Sequence, residues 1–396
     1  MTDSVLSDET SDFSLVSGGP LFQLLVRARL SGMSLEWLDR RILFAIAVAW
    51  FPLLILSFFG TNQAGTALLI PFHYDIEVHV RYLVALPALL TAELFVHGRL
   101  RSTMQQFIQR GIVAPADKLK FQSAVQTTLN LRNSVMLEFG LLLFVYTAGG
   151  WLWASQVALG QATWYGTPMI GSWRLTPAGY WYAFVSIPIF QFLLLRWYLR
   201  LFIWIVFLWR VSRLDLQLQP MHTDNAGGLG FLGQSSFAFG PVVFAQGSLL
   251  AGMIANRVLF VGQKLQDFKL EVFATVVVSV VMVLGPLLMF MPHLGRARWR
   301  GELEYGELVS HVTQAFRAEW IRLGVPQGKE LLSRPDFSAL VDLGTAYATV
   351  QGMRMVPFGT NVAIWLTVYV LAPLLPLTLT VLSLDELLVS FFHVLF

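Results

Sequence analysis

Four ionisable side chains stand inside apolar runs, where a charge is costly. Glu93 lies in the run 82–96, Glu138 in 134–153, and Arg196 and Arg200 in 180–209. A charge at mid-membrane costs about 2.5–3.5 kcal/mol on insertion scales, so such residues pair, line a wet cavity or reach for the headgroups. Arg196 and Arg200 are four apart and share one helix face. Two expectations stand side by side. Either the arginines meet the glutamates across a bundle or line an anion path, or the over-long run 180–209 lets them snorkel, with Glu138 near its own membrane edge.

A second constellation joins Arg210, Arg213 and Asp215 to His222, Asp224, Gly227, Gly228, Gly230 and Gly233. Glycines at this density let backbone N–H groups approach an anion closely, and His222 and Asp224 could share an ion or a proton. The pattern is neither a phosphate-binding Walker loop nor a dinucleotide fingerprint, and two ligands do not make a metal site. The competing expectation is structural: His222 and Asp224 cap a turn, and the glycines permit close packing.

Run 237–261 carries two adjacent small-residue stripes, Gly247, Ala251 and Ala255 beside Ser248, Gly252 and Asn256, with Gln246 above. Close helix packing wants this pattern, and so does a polar pore wall. His73, Asp75, Glu77 and His79 could meet a divalent cation, although a solvated pre-membrane segment accounts for them as well. No metal and no cofactor is called for.

The elements that must position these groups are membrane helices. Charged residues make up 13% of the chain and hydrophobic residues 56%, far from the roughly 25% charged of a soluble domain. Cysteine is absent, which excludes disulfides and thiolate chemistry. The acidic start, with Asp3, Asp8, Glu9 and Asp12, lacks the basic region of a cleaved signal peptide. Long apolar runs predict seven spans at 42–59, 82–96, 134–153, 180–209, 237–261, 272–291 and 362–381. Positive charge then sets orientation: 20 of 27 Lys and Arg fall in segments assigned to the cytoplasm, so the N-terminus is inside and the C-terminus outside. Arg257, Lys264 and Lys269 fall on the wrong side, which leaves open whether run 237–261 crosses or is re-entrant.

The resulting division is a cytoplasmic segment 1–41, a membrane region 42–293 with cytoplasmic connections 99–132 and 210–235, a cytoplasmic helical hairpin 294–358, and a last span with an interfacial helix in 359–396. The fold class is an all-α integral membrane protein with about seven transmembrane helices. The hairpin's arms are expected to stop near Gly324 and Pro326 and to restart near Ser333 and Pro335. Ser383 and Glu386 have capping-box spacing before the apolar tail.

Three segments carry a resemblance: W-R-x-S-R-L-D-L at 209–216, H-x-D-x-x-G-G-L-G-F-L at 222–232 and M-R-x-V-P-F at 353–358. In these the chain resembles a family of uncharacterised multi-pass bacterial membrane proteins, over roughly residues 130–390. The resemblance implies a bacterial inner membrane and brings no activity with it.

Three functions are compatible with these residues. A channel or transporter, for a small anion given the two intramembrane arginines, ranks first. A scaffold or assembly factor docking partners through the hairpin ranks second. An enzyme acting on a lipid or phosphorylated substrate through His222, Asp224 and Asp215 ranks last, because it lacks a nucleophile motif and a third metal ligand. The expected partners are the lipid bilayer, a small ion or solute and a second copy of the chain, with no nucleic acid.

Overall fold

In the computed structural model, residues 13–27, 37–60, 70–150, 163–169, 172–318 and 335–378 are described. The elements in chain order are α1 (Pro20–Arg27), α2 (Leu38–Phe59), α3 (Ile76–Gln109), α4 (Lys118–Arg132) and α5 (Val135–Gly149). A short antiparallel hairpin follows, β1 (Gly166–Met169) and β2 (Ser172–Leu175), with Gly166 opposite Leu175. The rest is α6 (Pro177–Val211), α7 (Gly230–Val261), α8 (Leu265–Phe316), α9 (Pro335–Gln351) and α10 (Thr360–Thr378). The chain is an all-α multi-pass membrane protein. Six helices, α2, α3, α6, α7, α8 and α10, are long and apolar enough to cross a bilayer, and α5 makes a seventh if it and α4, bent by 44°, are taken as one span.

The directions of the helices favour seven. α3 and α6 run parallel: the Trp197 indole donates to the Leu89 carbonyl (2.9 Å), Arg200 meets Glu93, and Phe107 packs edge-on against Phe207. Two parallel crossings need a return between them. α5 supplies it, running antiparallel to α6 from Glu138 beside Arg196 to Tyr146, whose hydroxyl donates to the Phe184 carbonyl (3.3 Å).

At 1.5 Å per residue, α3 and α6 are each about 50 Å long and outreach the roughly 30 Å of hydrocarbon. Their ends project on one side, where Arg-rich segments gather; we call this the basic face. There Phe13, Leu15 and Val16 are buried, with Phe13 against Phe207 at 6.1 Å. The Arg132 guanidinium donates to the Ser14 carbonyl. Residues 13–16 are therefore part of the core.

α7 is the most buried of the six long helices. Its 32 residues form one helical stretch long and apolar enough to cross a bilayer. Arg257, Lys264 and Lys269 sit at the turn to α8 on the face opposite the basic one. Gly262 makes that turn possible with φ +75°, and Arg257 lies 5.9 Å from the Phe268 ring.

α8 departs from the expected layout. Its apolar half ends in a 3₁₀ turn at Gly285–Phe290, and the helix then continues to Phe316. The first arm of the expected hairpin is thus a direct extension of a membrane helix. α9 packs beside it over its described residues, Pro335–Gln351. The stop at Gly324 and Pro326, Ser333 and the tail helix after Ser383 lie outside the described residues.

Candidate functional site

Glu93 on α3, the i,i+4 arginines on α6, Arg41 on α2 and Glu138 on α5 meet in one ionic cluster. Glu93 is its centre. Its Oε1 accepts from Arg200 Nη2 at 2.8 Å and lies 3.8 Å from Arg196 Nη1, while Oε2 accepts from Arg41. Arg196 also reaches Glu138 Oε1 at 3.2 Å. Arg41, Glu93, Arg196 and Arg200 are 5% exposed or less. In low dielectric such charges persist only when each is paired and hydrogen-bonded. Arg200 completes its surroundings by lying over the Trp197 ring, 4.7 Å from its centroid.

Glu138 is held from the other side by α1. Its Oε2 accepts the Leu21 amide N–H (2.9 Å) in the first turn of α1, where the helix dipole favours a carboxylate. Gly19, at φ +86°, permits this approach, since a side chain there would press on Glu138 Oε1 and the Arg132 carbonyl.

Above the cluster lies a cavity of about 510 Å³ between α2, α3, α5 and α6. Arg41, Glu93, Glu138 and Arg196 form its ionic floor, and Phe44, Val48, Leu142, Tyr146 and Phe192 are among its apolar walls. Phe44, Leu142 and Tyr146 are exposed, so the cavity is open rather than enclosed. The cluster holds three arginines and two glutamates, a formal net charge of +1. Arg41 Nε is buried with no acceptor among the described residues.

The glycine segment folds as a turn closed by Asp224. Its carboxylate accepts three backbone N–H groups, from Ala226 (2.8 Å), Gly228 (3.1 Å) and Gly230 (2.8 Å). Burial opposes the charge on Asp224, but these three donors outweigh it and hold its pKa below the ordinary carboxylate value. His222 Nδ1 lies 2.9 Å from Asp224 Oδ1 and 3.2 Å from the Asp224 amide nitrogen. One ring proton cannot serve both roles, and the shorter contact to a carboxylate is the one a proton on Nδ1 satisfies. Gly227 (φ +62°) and Gly228 (φ +96°) adopt the left-handed region, and Gly227 faces the Met353 methyl. Arg354 locks the turn: its amide donates to the Asn225 carbonyl and its Nη2 to the Asp224 carbonyl, both at 2.7 Å.

The segments 209–216, 222–232 and 353–358, far apart in sequence, are thus neighbours on the basic face. The latter two flank a second cavity of about 480 Å³, lined by Arg99 of α3 and Arg110 just beyond its end, by His222, Asp224 and Gly230, and by Arg354. Arg210 and Arg213 do not line it, and Arg213 lies over the Trp209 ring at 5.2 Å. Asp215 lines a separate cleft with His293 and Arg296. Grouping these three with His222 on the sequence therefore joined residues that the fold separates.

The polar stripe of α7 is taken up by packing. Gln246 accepts from the Ser279 hydroxyl (2.7 Å) and donates to Tyr198 (3.1 Å), while the buried Ser248 hydroxyl turns back to the Phe244 carbonyl (2.8 Å). A methyl group on Gly247 would collide with the Val370 carbonyl of α10. Asn256 donates to Asp75 Oδ1 (2.8 Å) and accepts from the Ile76 amide (3.0 Å). Asp75 also receives the Trp164 indole N–H (2.8 Å) and is buried, where a solvated segment was expected. His79 accepts from Trp50 and Glu77 pairs with Arg81. Among the described residues no three His, Asp or Glu side chains group as a metal site.

Arg41 is the member of the cluster that sequence reasoning missed. It was counted among the orienting charges because it directly precedes the first apolar run. No signal in the sequence marks it, because an orienting charge and a buried one look alike at the edge of an apolar run. Arg99, Arg110 and Arg354 were likewise read as orienting charges.

Compared with family models, with curated proteins and with solved structures, the chain matches none of them.

Proposed function

We propose that the chain is a transport-class membrane protein that takes an amphiphilic monoanion, such as a fatty-acid carboxylate or a phosphodiester lipid, from the bilayer into the cavity over Glu93. The supporting observation is the pairing of apolar walls with a floor of four charged side chains, set in a five-residue cluster that sums to +1 once Arg200 is included, and with a buried Arg41 Nε that has no acceptor among the described residues. Apolar pockets with a few convergent polar groups are the usual form of small-molecule sites. A water-filled ion pore draws less support, because the polar groups of α7 are engaged in helix contacts. The enzyme reading draws less still, with Asp224 spent on its own turn and Asp215 elsewhere.

In this proposal the membrane is a bacterial inner membrane and the basic face is cytoplasmic. The N-terminus is then inside and the C-terminus periplasmic after seven crossings. The support is the concentration of Lys and Arg in segments opening onto that face, together with the resemblance noted above. A reporter fused after residue 396 that is active only in the periplasm tests the count; activity only in the cytoplasm would leave six crossings.

Binding is tested on purified protein in nanodiscs with oleate, its methyl ester and phosphatidylglycerol. Saturable binding of an anionic amphiphile, with no binding of the ester, is expected. Arg41→Lys, which keeps the charge but removes the Nε donor, should weaken it about tenfold, or ~1.4 kcal/mol. Equal binding of oleate and its ester would sink the reading. Flux of the bound anion across reconstituted liposomes separates a transporter from a static lipid-binding scaffold.

A further inference from the structure

The second cavity, on the basic face, has a composition unlike the first. Its walls are polar, with Ser102, Gln106 and Gln234 beside three guanidinium groups. Arg99 and Arg110 are exposed and form no ion pair with a carboxylate among the described residues. Arg110 is fixed in direction by the Phe231 ring at 5.4 Å and by its contact with the Gly228 carbonyl at 3.3 Å. Arg354 comes from the opposite wall, held by its two bonds to the glycine turn, and its Nε is buried without an acceptor among the described residues.

The charge of this cavity is not cancelled by its own walls. Asp224 is the one carboxylate in the lining, and its oxygens are already engaged by three backbone amides and His222. Three arginines against one aspartate leave a formal charge of +2. A phosphate monoester carries about −1.5 to −2 at neutral pH, and guanidinium forks match its oxygens in geometry as well as in sign. At about 480 Å³ the space is far larger than a phosphate group needs. It falls within the range of pockets that hold a whole small molecule.

We propose that Arg99, Arg110 and Arg354, with His222 at the rim, bind the phosphate monoester of an organic ligand on the basic face. The glycine turn is the scaffold that aims Arg354 and lends the site no ligand atoms of its own, since the Asp224 carboxylate consumes the N–H groups of Ala226, Gly228 and Gly230. The ligand's phosphate comes either from a water-soluble ester or from a monoester lipid headgroup, and both present the same group to the arginines.

The test uses the full chain in phosphatidylcholine nanodiscs, titrated calorimetrically with glycerol 3-phosphate and, as a control, with glycerol. A parallel arm replaces part of the lipid with phosphatidic acid and follows tryptophan fluorescence. Saturable binding of glycerol 3-phosphate is expected, weakened about tenfold by Arg99→Gln and by Arg110→Gln, each the loss of one charge-assisted contact. Both residues are exposed, so these variants should fold, and Arg213→Gln, outside the cavity, should bind normally. A response to phosphatidic acid alone, with the same sensitivity to Arg99 and Arg110, supports the site and assigns it to a lipid. Binding in neither arm, or binding indifferent to both substitutions, overturns the proposal.

Discussion

The two cavities use arginine under opposite constraints. Over Glu93 the arginines are buried among apolar helices, so each is tied to a carboxylate and the sum is held to +1. At the glycine turn two of the three arginines are exposed, and solvent tolerates an excess of +2 with little internal pairing. Ionised groups in hydrocarbon-like surroundings are stable only as networks, whereas screened surface charges can wait for a ligand. The first cavity is therefore a structural element as much as a site. The second is expected to tolerate loss of its exposed charges, Arg99 and Arg110, whereas Arg354 holds the glycine turn.

That contrast can be broken by mutation. Glu93→Gln should have the largest effect, because it strips the shared partner from three buried arginines; a loss of about 3–5 kcal/mol is expected on removal of one member of a buried pair. Thermal unfolding in nanodiscs measures it, and an unchanged midpoint would show that the cluster is hydrated. Glu138→Gln is the gentler version, since this side chain is 12% exposed and binds one arginine. A loss of roughly 1–3 kcal/mol is expected, in line with a hydrogen bond to a charged group.

Acid should act on the other region. Asp224 has a depressed pKa in the fold, so its contribution is complete above the ordinary aspartate value near 3.9 and is lost as pH falls through the lower folded value. Unfolding midpoints should therefore decline at the acid end, and Asp224→Asn should flatten that limb. An identical acid limb in the variant would mean that the three amide contacts do not hold the charge. Smallest of all, Arg99→Gln and Arg110→Gln should each leave stability within about 0.5 kcal/mol, as for surface substitutions. A large drop would mean that the arginines of the basic cavity are structural too.

Much of the membrane architecture is legible in the residues, because run length and charge asymmetry are set by the bilayer. The ionic cluster is half legible. Lone glutamates and an i,i+4 arginine pair announce themselves inside apolar runs, but Arg41 stands at a run's edge, where an orienting charge and a buried one look alike. The basic cavity is least legible. His222, Asp224 and the glycines stand out locally, yet the groups that give the cavity its charge come from Arg99 of α3, from Arg110 just beyond its end and from Arg354, 130 residues beyond Asp224. Helical periodicity carries no information about such meetings. The burial of Phe13, Leu15 and Val16 was hidden for a related reason: three apolar residues are too few to mark an element.

The ionic cluster also constrains how the protein is made. Arg41 and Glu93 belong to the first two long helices, 52 residues apart, whereas Arg200 is made 107 residues after Glu93. During synthesis Glu93 thus enters the membrane with Arg41 as the only one of its three arginines already made. The α2–α3 pair can insert as a nearly neutral hairpin, and the later arrival of Arg196 and Arg200 is then drawn to a carboxylate already in place. The Arg41–Glu93 contact thus joins the two members of the cluster that are synthesised first.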